Sequence, residues 1–122
     1  MSKILGIDPG LRVTGYGVIH QDKQKFTYES SGTIKTTKQD LDLAARIKII
    51  VTGIDEVIEK FSPNIVAIEK VFVNTNPQST LLLGQARGAA IAAIVSKEIN
   101  IYEYTALQIK KSVVGNGHAD KL

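Results

Sequence analysis

The chain has 122 residues, of which 43% are hydrophobic and 22% are charged, as in an ordinary globular domain. Fifteen basic and twelve acidic residues give a net charge of +3, which permits a nucleic-acid partner without requiring one. The absence of cysteine excludes disulfides and thiolate metal sites, and no segment reaches the ~18 apolar residues of a membrane span. We therefore expect a single domain over residues 1–122, with no membrane partner and a cytoplasmic location.

The first third of the chain predicts three strands. Residues 3–8 form an apolar run that ends abruptly in a carboxylate, which is typical of a buried strand. Residues 13–20 and 25–35 have strand character, and the polar residues 21–24 between them predict an antiparallel hairpin.

A long amphipathic helix should follow the hairpin. Apolar residues recur at helical spacing from Leu43 to Phe61. The pattern predicts a helix that begins near Asp40 and ends before Pro63, because a proline disfavours helical backbone in the residue before it.

The rest of the chain predicts alternating strands and helices. Asn76 and Pro77 supply an N-cap and a first-turn proline for one of the helices. The predicted elements are a strand over residues 64–69, a helix from 77 to about 97, a strand over 100–104 and a short helix from 105 to about 114.

This order of elements predicts an α/β fold with a five-stranded mixed sheet and helices on both faces. Right-handed crossovers would place the strand over residues 64–69 parallel to the first strand and beside it. The carboxyl ends of the two strands would then be neighbours, which brings Asp8 and Glu69 together. Open α/β sheets commonly bind ligands at this edge.

Asp8 and Glu69 are the candidate site residues. A carboxylate at the end of a buried strand loses hydration unless a cation, a metal ion or hydrogen-bond donors compensate. A single strand-end acid is as often structural as functional, but two at one edge favour a shared site for a divalent metal ion. Most of the other acids fall in turns or on polar faces.

Two segments rich in small residues leave alternatives open. Residues 8–17 form a glycine-rich strand–turn–strand, which suits either a close approach to phosphates or an ordinary hairpin with a positive φ at Gly10. Gly84, Gly88 and Ala92 recur at four-residue spacing along a helix. Such a row packs closely either on the protein's own sheet or on a second subunit.

Aromatic and basic residues farther along the chain also have two interpretations each. Phe72 could stack on an unpaired base or cover the end of a strand. Lys110 and Lys121 could contact phosphate or lie on a solvated face.

Four segments, taken in this order, resemble the RuvC family of Holliday junction resolvases. They are ILGIDPGLRVTGYGVI at 4–19, VAIEKVF at 66–72, LLLGQARGAAIAA at 81–93 and YEYTALQIKKSVVGNGHADK at 102–121. The resemblance implies a ribonuclease-H-like fold and a homodimer that nicks four-way DNA junctions symmetrically in recombination and repair. It also implies a branch-migration motor complex as a partner.

The resemblance also assigns roles to individual residues. Asp8 and Glu69 match the first two metal-binding carboxylates of the family, whose complete site implies two Mg²⁺ ions, with Mn²⁺ as a substitute. Phe72 matches the aromatic residue that probes junction bases, and Lys110 and Lys121 match basic residues near the cleaved strand. No cofactor other than the metal is expected.

One departure from the family pattern changes the expectation for activity. The family continues into a C-terminal helix with two more acids at three-residue spacing, and the sequence reaches Leu122 about where that helix should begin. We therefore expect a catalytically incomplete polypeptide. The alternatives are a non-catalytic junction-binding form and an actin-like nucleotide-binding domain, which would need a second lobe.

Overall fold

The computed structural model describes residues 2–37, 42–69 and 77–104. The elements follow the predicted order: β1 Ser2–Asp8, β2 Val13–Asp22, β3 Lys25–Lys35, α1 Leu43–Phe61, β4 Ile65–Glu69, α2 Pro77–Val95 and β5 Asn100–Tyr104. The short helix predicted from Thr105 lies outside the described residues.

The five strands form one mixed sheet, as predicted, and their order is β3-β2-β1-β4-β5. β2 is antiparallel to both of its neighbours, whereas β1, β4 and β5 are parallel to one another. β3 therefore runs in the same direction as β1. The carboxyl ends of β1, β3, β4 and β5 all lie at one edge of the sheet, which we call the carboxyl edge.

Side-chain alternation gives the sheet two different faces. One face is apolar, and its buried side chains belong to Leu5, Ile7, Val18, Val66 and Ile68. Both described helices pack on this face, in one continuous core that includes Ile50, Ile54, Ile58 and Phe61 of α1 and Ala86, Ala90, Ala93 and Ile94 of α2. The opposite face, which we call the far face, carries Asp8. A helix on the far face would have to come from outside the described residues.

Both helices differ slightly from the predicted limits. α1 begins at Leu43 rather than near Asp40, because the Asp42 carboxylate caps it by accepting a 2.8 Å hydrogen bond from the Ala45 amide. It ends at Phe61, where Ser62 adopts a left-handed conformation. α2 ends at Val95, about two residues early, and the chain then turns. Among the described residues, no helix is long and apolar enough to cross a membrane.

Candidate metal centre

Asp8 and Glu69 lie side by side at the carboxyl edge, as predicted from the sequence. Ile7 of β1 pairs with Ile68 of β4, and each acid is the next residue along its strand. Because paired residues of neighbouring strands point to the same face, both carboxylates lie on the far face. The two side chains are close enough for the charge of Asp8 to act on Glu69. Asp8 is exposed and Glu69 is half-buried.

The electrostatics of this pair are unfavourable without a cation. Desolvation raises the pKa of Glu69, and the negative charge of Asp8 raises it further. A divalent cation between the acids would remove the repulsion. Carboxylate oxygens are the hard ligands that Mg²⁺ and Mn²⁺ prefer, so the donor set fits such an ion.

The described part of the centre supplies few ligands. Within residues 2–37, 42–69 and 77–104, no three His, Asp or Glu side chains come together as a metal-binding group. Asp8 and Glu69 would therefore share the coordination of an ion with water, substrate oxygens or groups outside these ranges. Two carboxylates are a weak site for Mg²⁺, which prefers near-ideal octahedral coordination.

The turn after Asp8 requires glycine for a steric reason. A Cβ atom at Gly10 would clash with the Val13 carbonyl oxygen. The expected positive φ at Gly10 is wrong, because its φ lies outside the left-handed range. Thr14, which is fully buried, fixes the turn. Its hydroxyl donates to the Gly10 carbonyl oxygen at 2.8 Å and accepts from the Gly10 amide at 3.2 Å.

A second buried threonine holds the rest of this loop. Thr36 is 1% exposed, its amide donates to the Arg12 carbonyl oxygen at 2.8 Å, and its hydroxyl donates to the Leu11 carbonyl oxygen. The Arg46 guanidinium of α1 donates to the Thr36 carbonyl oxygen and, at 3.3 Å, to its hydroxyl. Thr14, Thr36 and Arg46 together form what we call the loop clamp. The clamp fixes the chain immediately beyond Asp8.

Sequence reasoning missed Thr36 and Arg46, although one signal was present. Arg46 lies one turn before Ile50 and two turns before Ile54, on the buried side of α1. An arginine on the buried side of α1 requires hydrogen-bond acceptors, because a guanidinium is costly to desolvate without them. The pattern could not identify Thr36 as the acceptor, since it lies 10 residues away along the chain.

The glycine row of α2 lies on its outer side. Leu81, Gly84, Gly88, Ala92 and Val95 follow helical spacing and are all exposed. A Cβ atom added at Gly84 or Gly88 would meet no described atom within 4 Å. The interpretation that this row packs on its own sheet is therefore wrong. A face of small and apolar residues is therefore exposed on α2 among the described residues.

Phe72, Lys110 and Lys121, the predicted DNA-binding residues, lie outside the described residues. The exposed Arg12, next to Val13 at the start of β2, was not singled out from the sequence.

Comparisons with known proteins agree on one family. The sequence profile described as "Crossover junction endodeoxyribonuclease RuvC" matches residues 4–122. The proteins of that name from Methylobacillus flagellatus and Janthinobacterium sp. are 61% identical to this chain over 98% of its length. The matches cover 68% and 65% of those two proteins, so the chain spans about two thirds of their length.

The structural comparison gives the same result. The structure of Thermus thermophilus RuvC in complex with Holliday junction substrate matches 92% of this chain and 70% of that protein, with a TM-score of 0.82 and 27% identity. The five-stranded mixed sheet is thus the ribonuclease-H-like fold of such nucleases. The chain belongs to the RuvC family of crossover junction endodeoxyribonucleases.

Proposed function

We propose that this chain binds four-way DNA junctions and provides part of a metal-dependent centre that nicks them symmetrically in recombination and repair. The convergence of Asp8 and Glu69 is the observation that carries the proposal. Two adjacent strand-end carboxylates with a raised Glu69 pKa are an arrangement that a divalent ion stabilises and that a structural role alone does not need.

We assign a role to each described residue of the centre. Asp8 and Glu69 would hold Mg²⁺, or Mn²⁺ in its place. When bound, the metal would supply charge compensation at the phosphate and activation of a water molecule. The loop clamp keeps Asp8 in one position, because it fixes the loop that follows. The family site uses two ions, which two carboxylates leave poorly neutralised, so we propose that a polypeptide of residues 1–122 binds junctions but cuts them poorly.

Three residues outside the described ranges complete the proposed DNA contacts. Phe72 stacks on a base at the junction, and Lys110 and Lys121 neutralise phosphates of the strand to be cut. Stacking tolerates any base, whereas lysine contacts position the backbone without reading sequence. We propose that the protein acts in the cytoplasm, together with a branch-migration motor complex.

The outer face of α2 supports a homodimer. Leu81 is 62% exposed and Val95 is 58% exposed, and between them lie Gly84 and Gly88, where a second backbone can approach closely. Two mid-helix glycines cost about 1 kcal/mol each relative to alanine, and a close helix–helix contact would offset that cost. Symmetric nicking of two strands requires two centres, which a twofold dimer supplies.

A chimera tests the proposed function directly. Residues 1–122 would replace the matching segment of the Methylobacillus flagellatus protein, and labelled four-way junctions and linear duplexes would be the substrates. We expect Mg²⁺-dependent paired nicks by the chimera, and junction binding with little cleavage by residues 1–122 alone. Equal affinity for junction and duplex would contradict junction recognition. Comparable cleavage by residues 1–122 would contradict the need for further acids.

A further inference from the structure

Two cationic residues lie on the β3 side of the carboxylates, and the proposed function leaves both without a task. Arg12 and Lys35 are both exposed. Val13 pairs with Lys35 in the β2–β3 register, and the Thr36 amide donates to the Arg12 carbonyl oxygen at 2.8 Å. Arg12 and Lys35 are therefore close neighbours at the carboxyl edge.

Lys35 lies on the same face of the sheet as Asp8. Asp8 pairs with Gly15, and Gly15 pairs with Thr33, so these residues form one row across three strands. Lys35 is two residues beyond Thr33 and returns to the same face. Two strand spacings of about 4.8 Å and two residues of about 3.4 Å each place its Cα atom about 12 Å from that of Asp8.

The sheet surface between Asp8 and β3 carries little side-chain bulk. Gly15 has no side chain, and a Cβ atom there would approach the Asp8 Cβ only to 4.0 Å. Val13, which is 43% exposed, is the residue of β2 that pairs with Lys35. A nucleic-acid backbone can therefore approach the sheet closely at Gly15, beside Asp8, and would pass the exposed Val13 only next to Lys35.

Few acids lie near these two residues, although Glu56 of α1 lines one groove together with Lys35. Residues 9–20 and 30–37 contain no Asp or Glu. Neither Arg12 nor Lys35 forms an ion pair with a described residue, whereas Lys3, Arg87 and Lys97 do. The loop clamp holds the Arg12 backbone in place, so less conformational freedom is lost when a phosphate binds.

We propose that Lys35 and Arg12 form a phosphate-binding subsite for the DNA strand on the β3 side of the metal centre. The inference rests on the proposed function, because it assumes that DNA lies over the carboxylates. Successive phosphates of one duplex strand are about 3.4 Å apart along the axis. A lysine about 12 Å from Asp8 thus reaches a phosphate a few nucleotides from the one held at the carboxylates.

The salt dependence of junction binding tests the subsite. Lys35→Gln would be compared with Lys25→Gln, which makes the same charge change at an exposed position on the same strand, about 33 Å away. The dissociation constant for a four-way junction would be measured between about 50 and 200 mM salt. Thermal unfolding would confirm that both variants fold like the wild type.

The expected results differ clearly between the two variants. Lys35→Gln should reduce the slope of log K against log salt by about 0.9 for each phosphate that is no longer neutralised, and it should weaken binding by up to about eightfold near 0.1 M salt. Arg12→Gln should act in the same direction. Lys25→Gln should keep the wild-type slope, and Lys35→Arg should restore it.

Two outcomes would overturn the subsite. One is an unchanged slope for Lys35→Gln, and the other is an equal reduction for Lys35→Gln and Lys25→Gln, which would reflect net charge only. Both leave the proposed function standing, because the wild type still binds the junction. A wild-type protein with no preference for junction over duplex would refute the proposed function and the subsite with it.

Discussion

Two glutamates of one sheet lie in opposite electrostatic environments. Glu29 of β3 contacts His20, and its Oε1 lies 3.4 Å from the Lys3 Nζ. The hydrogen bond with His20 lowers the pKa of Glu29 and outweighs the opposing effect of desolvation, and the charge of Lys3 lowers the pKa further. Glu69 of β4 faces another acid, and its pKa is raised by desolvation and by Asp8.

The difference separates an acid whose charge the protein compensates from an acid whose charge the described residues leave uncompensated. His20 and Lys3 compensate the charge of Glu29, so this residue does not need a bound cation. The Asp8–Glu69 pair gains nothing comparable from the described residues, and a cation from solution is the simplest group that would stabilise it. Folding tolerates the repulsion because the apolar residues that precede both acids, Ile7 and Ile68, are buried in the core.

The largest expected effect is on catalysis. In the chimera, Asp8→Asn should reduce Mg²⁺-dependent junction cleavage by at least about 10³-fold, because metal-ion stabilisation of a transition state is worth several kcal/mol. Junction binding should be retained or slightly tighter, since a negative charge near phosphates is removed. Glu29→Gln is the control and should cleave normally. Loss of binding together with cleavage would show that Asp8 is structural.

Phe72→Ala should have the next largest effect. Base stacking is worth about 1–3 kcal/mol per base, enough to hold a distorted crossover open. The chimera with Phe72→Ala should lose more activity on intact junctions than on pre-nicked ones, measured as cleavage rates on matched substrates. An equal loss on both would assign Phe72 to the core instead.

Thr36 of the loop clamp should contribute more to the free energy of unfolding than the adjacent, exposed Thr37. Thr36→Val keeps the shape of the side chain but leaves the Leu11 carbonyl oxygen without its hydroxyl donor. We expect a loss of about 1–3 kcal/mol in the free energy of unfolding, measured by urea denaturation. Thr37→Val is the matched control, because Thr37 is exposed, and it should change little. Equal effects of the two substitutions would refute the clamp.

The smallest effects are those on the pH dependence of stability. The raised pKa of Glu69 means that its stabilising contribution is present at acid pH and is lost as pH rises through that pKa. The lowered pKa of Glu29 means the opposite: its contribution is present at neutral pH and is lost as pH falls through that pKa. At pH 7 in chelator, Glu69→Gln should therefore raise the melting temperature and Glu29→Gln should lower it. If both substitutions changed the melting temperature in the same direction, the proposed difference between Glu69 and Glu29 would be wrong.

Sequence patterns predicted the parts of this fold that depend on local periodicity and handedness. The apolar runs that end in Asp8 and Glu69, together with the right-handed crossover, were sufficient to place the two acids side by side. The orientation of the α2 glycine row was left open, because α2 has apolar and small residues on most sides and its periodicity does not show which side meets the sheet.

The loop clamp was missed for a different physical reason. Its hydrogen bonds join residues far apart in the chain, as between Thr36 and Leu11, which are separated by 25 positions. Threonine is also common in strands and loops, so its type alone carries no signal. The roles of Phe72, Lys110 and Lys121 remain predictions from the family resemblance.

Binding of Mn²⁺, measured from the free-ion electron paramagnetic resonance signal, tests the Asp8–Glu69 centre most directly. The wild-type chain should remove Mn²⁺ from solution weakly, Mg²⁺ should compete, and Asp8→Asn and Glu69→Gln should each abolish this binding. The Glu29→Gln control should bind as the wild type does. An ion at ten times its dissociation constant would also stabilise the wild-type fold by about 1.4 kcal/mol. Undiminished Mn²⁺ binding by Asp8→Asn would show that the two carboxylates are not the metal site.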